Sequence, residues 1–266
     1  MRHGINVLCT GLLALSSSLI VASTSRDLVT DPGGKNQLLV VGVPGGLPGI
    51  DKDLKMVEAM GAHSAYNFVS NKLWSSQGTV ANVANRLSTL STNTLNDGTL
   101  FFYYSGHGSK GGISLRDRSM TISEIRRAVE KGREGLGPVS RLVMMFDSCY
   151  SGSLVDPLRK LLSPLFDSSD AGQFVDNLMQ EFGSNHRDES YWKSLFVFAS
   201  SRSDETSSAG SLGSEFTVAL NKAFSETLTA NGTMADWVEK TKQYTSGHHP
   251  VERFSPQDII NEKLVP

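Results

Sequence analysis

Cysteine is almost absent from this chain of 266 residues, which has only Cys9 and Cys149. Cys9 lies in an N-terminal apolar stretch, and a chain that loses that stretch keeps Cys149 alone, which excludes an intrachain disulfide. Clustered basic residues are lacking too. Lys and Arg number 25 against 27 Asp and Glu, so neither a nucleic acid nor an anionic membrane is an expected partner. Beyond residues 12–22 no run is apolar and long enough to span a bilayer. Gly42–Gly49 is glycine-rich after an apolar run, yet it has neither Gly-x-Gly-x-x-Gly spacing nor a Gly-Lys-Ser/Thr ending. Its Pro44 and Pro48 also remove two amide donors, so no phosphate cradle is read there. No Gly-x-Ser-x-Gly elbow occurs, which excludes the usual serine-hydrolase nucleophile. His248-His249 has no acidic or cysteine cluster beside it in sequence, and Ser109–Met120 offers only Asp117 as a carboxylate. No metal or other cofactor is therefore expected.

What is present fits one globular domain with a sizeable core: 39% of the residues are hydrophobic and 20% charged. Arg2 precedes the apolar run Leu12–Ala22, which ends in small residues, so residues 1–23 read as a signal peptide and the protein as exported. Thr10, Gly11 and Ser16–Ser18 interrupt the run and argue against a retained anchor. Residues 24–37 are polar and read as a flexible lead. A lone thiol in an oxidising compartment must be buried or used, which directs attention to the surroundings of Cys149.

From residue 38 the chain alternates apolar runs with amphipathic segments, the pattern of parallel strands joined by helices. Leu38–Val43, Leu100–Tyr104, Leu142–Phe146 and Leu195–Ala199 are near-continuous apolar runs, as expected of strands covered on both faces. Ala65–Val69 and His249–Phe254 are shorter and read as edge strands. Helices are expected over Lys52–Met60, Val80–Leu90, Ile122–Lys131, Phe216–Leu228 and Met234–Tyr244, the third opened by a Thr121-x-x-Glu124 capping box. Residues 151–193 form a long connection with two helical-looking pieces, Leu158–Phe166 and Phe174–Phe182, between Asp, Ser, Gly and Asn breakers.

Two polar clusters directly follow two of the buried strands. Leu100–Tyr104 runs into Ser105-Gly106-His107-Gly108, and Leu142–Phe146 runs into Asp147-Ser148-Cys149-Tyr150-Ser151-Gly152. The carboxyl edge of an open α/β sheet is where ligand sites form. A histidine there can take a thiol proton, and flanking glycines let a substrate backbone approach. The Gly108 and Cys149 amides are candidate donors to an oxyanion.

Tyr-Ser-Gly-His-Gly followed some forty residues later by Asp-Ser-Cys-x-Ser-Gly resembles the caspase-like cysteine peptidases, the group of caspases, metacaspases, legumains and gingipains. The resemblance covers about Leu38 to Phe254. It includes Gly49-Ile50-Asp51-Lys52-Asp53 after the first strand, Ala199–Glu205 after the fifth, and Glu215-Phe216-Thr217-x-Ala219-Leu220 in the helix beyond. It implies a three-layer α/β sandwich with a mostly parallel six-stranded sheet and helices on both faces, spanning residues 38–266. It also implies peptide-bond hydrolysis with Cys149 as nucleophile, His107 as base and the Gly108 amide at the oxyanion.

By likeness to metacaspases, Asp53, Ser105 and Asp147 would line the primary specificity pocket, which favours cleavage after Arg or Lys. Asp-Ser-Cys stands where caspases have Gln-Ala-Cys, so a caspase-type preference for Asp does not carry over, and Tyr150 stands where many metacaspases have His. The motifs are closest to those of metacaspase-like proteins, but Cys149-Tyr150-Ser151-Gly152-Ser153 also resembles legumains, which keeps asparagine specificity and transpeptidation open. A catalytically silent binding protein on the same fold is the remaining alternative. The expected partner is a peptide or protein substrate, with no membrane association once residues 1–23 are removed and the oligomeric state left open. Residues 151–193, with Arg159, Lys160, Arg187 and Lys193, resemble the linker that relatives cut during maturation.

Overall fold

Every apolar run expected to be a strand is one. The computed structural model describes residues 35–63, 67–109, 112–148, 182, 191–200, 209–245, 250–255 and 260–264. The central sheet comprises β1 (Asn36–Val43), β2 (Phe68–Trp74), β3 (Thr99–Gly106), β7 (Val139–Ser148), β8 (Trp192–Ala199) and β11 (Val251–Ser255). Its order is β11-β8-β7-β3-β1-β2. All neighbours are parallel except β11, which closes the edge antiparallel to β8. The expected mostly parallel six-stranded sheet is the observed one.

Two layers of helix cover it because successive strand residues point to opposite faces. Leu39, Val41, Leu100, Phe102, Tyr104, Met144 and Phe146 pack with α2 (Val80–Asn93) and α3 (Ile122–Arg133). Leu38, Val40, Phe101, Tyr103, Val143 and Met145 pack with α1 (Ile50–Gly61), α4 (Glu215–Thr229) and α5 (Met234–Tyr244). The Thr121–Glu124 capping box forms at the start of α3. Asp117 is also used as a cap, since its Oδ1 accepts the Val80 N–H at 2.9 Å at the start of α2.

Several boundaries differ from expectation for identifiable reasons. β2 begins at Phe68 rather than Ala65 and runs to Trp74; as an edge strand it buries only Leu73 fully, so no apolar run marks it. β11 begins at Val251 rather than His249. β1 begins at Asn36, inside the stretch read as a lead, and the long connection ends before Trp192, which opens β8. Of the helical pieces expected within 151–193 only Phe182 is described. It is helical and buried, with its ring tilted on that of Trp192 at 5.1 Å. The remainder of that segment and the stretch read as a signal peptide lie outside the described residues.

Two small sheets went unforeseen, because strands of two or three residues are too short to show alternation. β4 (Gly108–Ser109), β5 (Gly112–Ser114) and β6 (Ser119–Thr121) form one. β9 (Ala209–Gly210) and β10 (Gly213–Ser214) form the other, a hairpin leading into α4.

At the opposite end of the sheet from these additions a single buried cation ties two loops together. Arg133, fully buried, donates to the carbonyls of Ser91 and Thr94 at 2.8 Å each, to Asn96 Oδ1 at 2.6 Å and to the Gly137 carbonyl. These acceptors lie at the end of α2, just before β3 and just before β7. Removing the guanidinium strands several buried carbonyls at once, each a group that costs free energy to leave unpaired. Arg133→Ala should therefore lower stability by about 3 kcal/mol or more. Chemical denaturation would show it as a lower midpoint, with turnover below that midpoint unchanged.

Candidate active site

β3 and β7 run side by side, and their pairing continues past the apolar runs: Tyr103 lies opposite Met145, Ser105 opposite Asp147, and Gly106 opposite Ser148. The polar motifs thus begin inside the ladder rather than in the loops beyond it. Backbone pairing does not depend on side-chain polarity, so a sequence reading that ends strands where apolar residues end will stop short. By alternation, Tyr103, Ser105 and Asp147 face the layer of α1 and α4. Asp53 on α1 and Ser214 and Thr217 at the start of α4 meet them there, all five of Asp53, Ser105, Asp147, Ser214 and Thr217 being buried.

The three residues expected in the specificity pocket are therefore brought together, and Ser214 joins them. Ser105 Oγ donates to Asp53 Oδ2 at 2.8 Å, while the Ser214 N–H donates to Asp53 Oδ1 at 2.7 Å. The Ser214 hydroxyl donates to Asp147 Oδ2, bridging the two carboxylates, and its oxygen accepts the Thr217 N–H at 3.0 Å as the cap of α4. Thr217 Oγ1 donates to the same Asp147 oxygen at 2.6 Å and lies 2.5 Å from the Tyr103 hydroxyl. Gly213 leaves room for this contact, because a Cβ there would lie 2.7 Å from Asp53 Oδ1 at a φ of +119°. Asp51 is separate, solvated beside Lys52 and Lys55.

Sequence reasoning missed Ser214, Tyr103 and the hydroxyl of Thr217. Thr217 was visible as part of the Glu215–Leu220 segment. Nothing in a two-residue hairpin could announce Ser214.

His107 leaves the end of β3 with its ring exposed and Nε2 3.2 Å from the Gly45 carbonyl. A carbonyl can only accept, so Nε2 carries the proton of this contact and Nδ1 is left as the basic nitrogen. Gly45 belongs to the glycine-rich stretch that holds no phosphate motif; its contribution is a main-chain oxygen, which no side-chain pattern reveals. The Ser114 N–H donates to the His107 carbonyl at 2.9 Å. That bond turns the His107 carbonyl towards β5, so the Gly108 N–H, on the far side of the same planar peptide unit, points away from β5.

Cys149 lies outside the described residues. The last described residues of β7 are held to the end of β8: the Ser148 N–H donates to Ser200 Oγ at 3.2 Å, and the Ser200 N–H donates to the Phe146 carbonyl at 2.9 Å.

Comparison with known proteins gives the chain a family and a fold. The profile described as the Peptidase C13 family matches residues 77–265, well over half of the chain. A protein of Geobacter sulfurreducens has a similar structure, with a TM-score of 0.62 and 16% identity over 87% of this chain and 98% of that one. Caspase-1 from Spodoptera frugiperda is similar over 83% of this chain and 86% of its own, with a TM-score of 0.54 and 10% identity. At these identities the likeness is one of fold, and the fold is caspase-like. No curated protein matches the sequence.

Two carboxyls so close and so buried do not ionise independently. Burial first, and then the charge of Asp147, push the Asp53 carboxyl up to about 7, against the opposing pull of the Ser214 N–H and the Ser105 hydroxyl. Burial and the same two carboxylates push the Tyr103 phenol well above its usual range, so it stays neutral.

Between about pH 4 and about pH 7 the folded chain holds an Asp53 proton that the unfolded chain, near 3.8, has lost. The Asp53 contribution is therefore fully present below about pH 4 and is lost as pH rises through about 7. Thermal unfolding of Asp53→Asn beside the parent should show this: the parent's advantage at pH 5 shrinks towards pH 8, and the variant lacks that slope.

Proposed function

Because the chain belongs to the Peptidase C13 family, we propose that it is a cysteine endopeptidase in which Cys149 attacks the substrate carbonyl and His107 carries the proton, with preference for a basic residue before the cleaved bond. His107 Nδ1 takes the proton from the Cys149 thiol, and the sulfur forms a bond to the carbonyl carbon. The negative charge on the carbonyl oxygen is met by the amides of Gly108 and Cys149. When the C–N bond breaks, His107 returns the proton to the leaving amine. Water then cleaves the thioester, giving the new carboxylate and restoring the thiol.

The observation that carries the substrate preference is the bridge between Asp53 and Asp147. A planar guanidinium can meet two carboxylates with several donors at once, and its charge offsets their repulsion. An acidic side chain would add a third negative group. An apolar one would offer the pair neither donor nor positive charge, forgoing charge-assisted hydrogen bonds worth about 1.5–3 kcal/mol, which is about tenfold or more in kcat/KM.

The same pair favours a second reading in acid. Below about pH 7 Asp53 keeps its proton, so the pair presents one donor and several acceptors, the complement of a carboxamide. Asparagine acceptance belongs to that protonation state. Export through residues 1–23 and cleavage within 151–193 are part of the same proposal, resting on the sequence.

Cys149→Ala and His107→Ala should each abolish peptide hydrolysis with unfolding midpoints near that of the parent, since both residues follow strand ends rather than fill the core. Full turnover in Cys149→Ala would remove the mechanism.

Fluorogenic peptides differing only in the residue before the bond should show Arg and Lys preferred at least tenfold over Leu at pH 8, and Asp147→Asn should erase most of that preference. An Asn or Asp preference at pH 8, or no change in Asp147→Asn, defeats the basic-residue assignment.

A further inference from the structure

The main chain of His107 is anchored by a side chain from the opposite face of the sheet to the carboxylate cluster. Tyr104 is fully buried among Phe102, Phe146 and the residues of α2 and α3, so nothing about its ring requires a hydroxyl. Yet the hydroxyl lies 2.7 Å from the His107 carbonyl and 2.7 Å from the Ser114 carbonyl. It closes a three-residue loop in which the chain folds back over its own tyrosine and is stapled to the β4–β6 sheet.

Gly106 permits the crossing. A Cβ there would lie 2.6 Å from the Tyr104 hydroxyl oxygen and 2.7 Å from the Val43 carbonyl. The two anchors of His107 therefore divide the work: the Gly45 carbonyl fixes the ring, while Tyr104 and the Ser114 N–H fix the carbonyl from which the Gly108 N–H extends.

We propose that Tyr104 is the positioning residue of this site, its hydroxyl setting the His107 main chain and, through the shared peptide unit, the direction of the Gly108 amide. The proposal rests on the reading of His107 as base. One hydroxyl thus governs two groups that act on the reacting atoms from different sides. Small displacements of such groups are expensive, since misplacement by about 1 Å can cost on the order of a hundredfold in rate. A purely structural tyrosine would behave differently: its loss would lower the unfolding midpoint and leave native turnover alone.

Tyr104→Phe keeps the ring in the core and removes only the oxygen. Assayed well below its unfolding midpoint, it should lower kcat about tenfold or more with KM within twofold of the parent. Iodoacetamide labelling of Cys149 should slow, with its pH dependence moved upward, because the base no longer sits where it draws off the thiol proton. Phe102→Leu, in the same core layer and away from His107, serves as the control for destabilisation and should keep the parental kcat. If Tyr104→Phe does not fold, Gly106→Ala separates the same contact and should reproduce the loss of kcat.

Parental kcat and labelling in Tyr104→Phe overturn the proposal, as does an equal loss in Phe102→Leu. Retained activity in His107→Ala would instead overturn the reading of the base, so the two failures are told apart.

Discussion

The parallel pairing of β3 with β7 is the constraint on which the site depends. Once Ser105 stands opposite Asp147, strand alternation decides everything nearby: Tyr103, Ser105 and Asp147 turn to one helical layer, Tyr104 and Phe146 to the other. A slip of one residue would send the carboxylate among the apolar side chains of α2 and α3 and bring Phe146 to the polar cluster. The long apolar runs before both motifs hold this register, because each is buried on two faces and neither tolerates displacement. Core packing and site geometry are thus one arrangement, read at two ends of the same strands.

Much of this was legible in the sequence, and the reasons are specific. Leu38–Val43, Leu100–Tyr104, Leu142–Phe146 and Leu195–Ala199 announce central strands because parallel sheets hide both faces. His107 and Asp147 could be placed at the carboxyl ends of two buried strands because polar motifs interrupt those runs abruptly; that the strands are neighbours came from the structure. Asp53 was singled out over Asp51 by the family resemblance alone; both sit in the first turn of α1, and the packing supplies the physical difference, Asp53 being buried and Asp51 solvated. β2 escaped correct placement because an edge strand carries polar residues through its length. Ser214 and the Gly45 carbonyl were invisible for different reasons: one belongs to a hairpin too short to show a period, and the other contributes no side chain at all.

The polar cluster also shows how a buried pair of like charges is tolerated. Ser105, Ser214 and Thr217 supply hydroxyl or amide donors, and the proton retained by Asp53 near neutrality reduces the repulsion with Asp147. Three small hydroxyl residues do here what a fixed counter-charge would do elsewhere, with the difference that hydroxyls neutralise nothing. The pair keeps its appetite for a cation, or for a proton in its place.

Ser214 has a further consequence for how the molecule comes into being. Its partners Asp53 and Asp147 precede it by 161 and 67 residues, so the cluster cannot close while the chain is being made until the β9–β10 hairpin and the first turn of α4 have emerged. The strand that delivers Asp147, and the thiol two residues beyond it, is synthesised well before that moment. On the proposed function, a growing chain therefore carries His107 and Cys149 before the polar cluster that would choose a substrate is complete. What completes that cluster is a hairpin whose two strands have only two residues each.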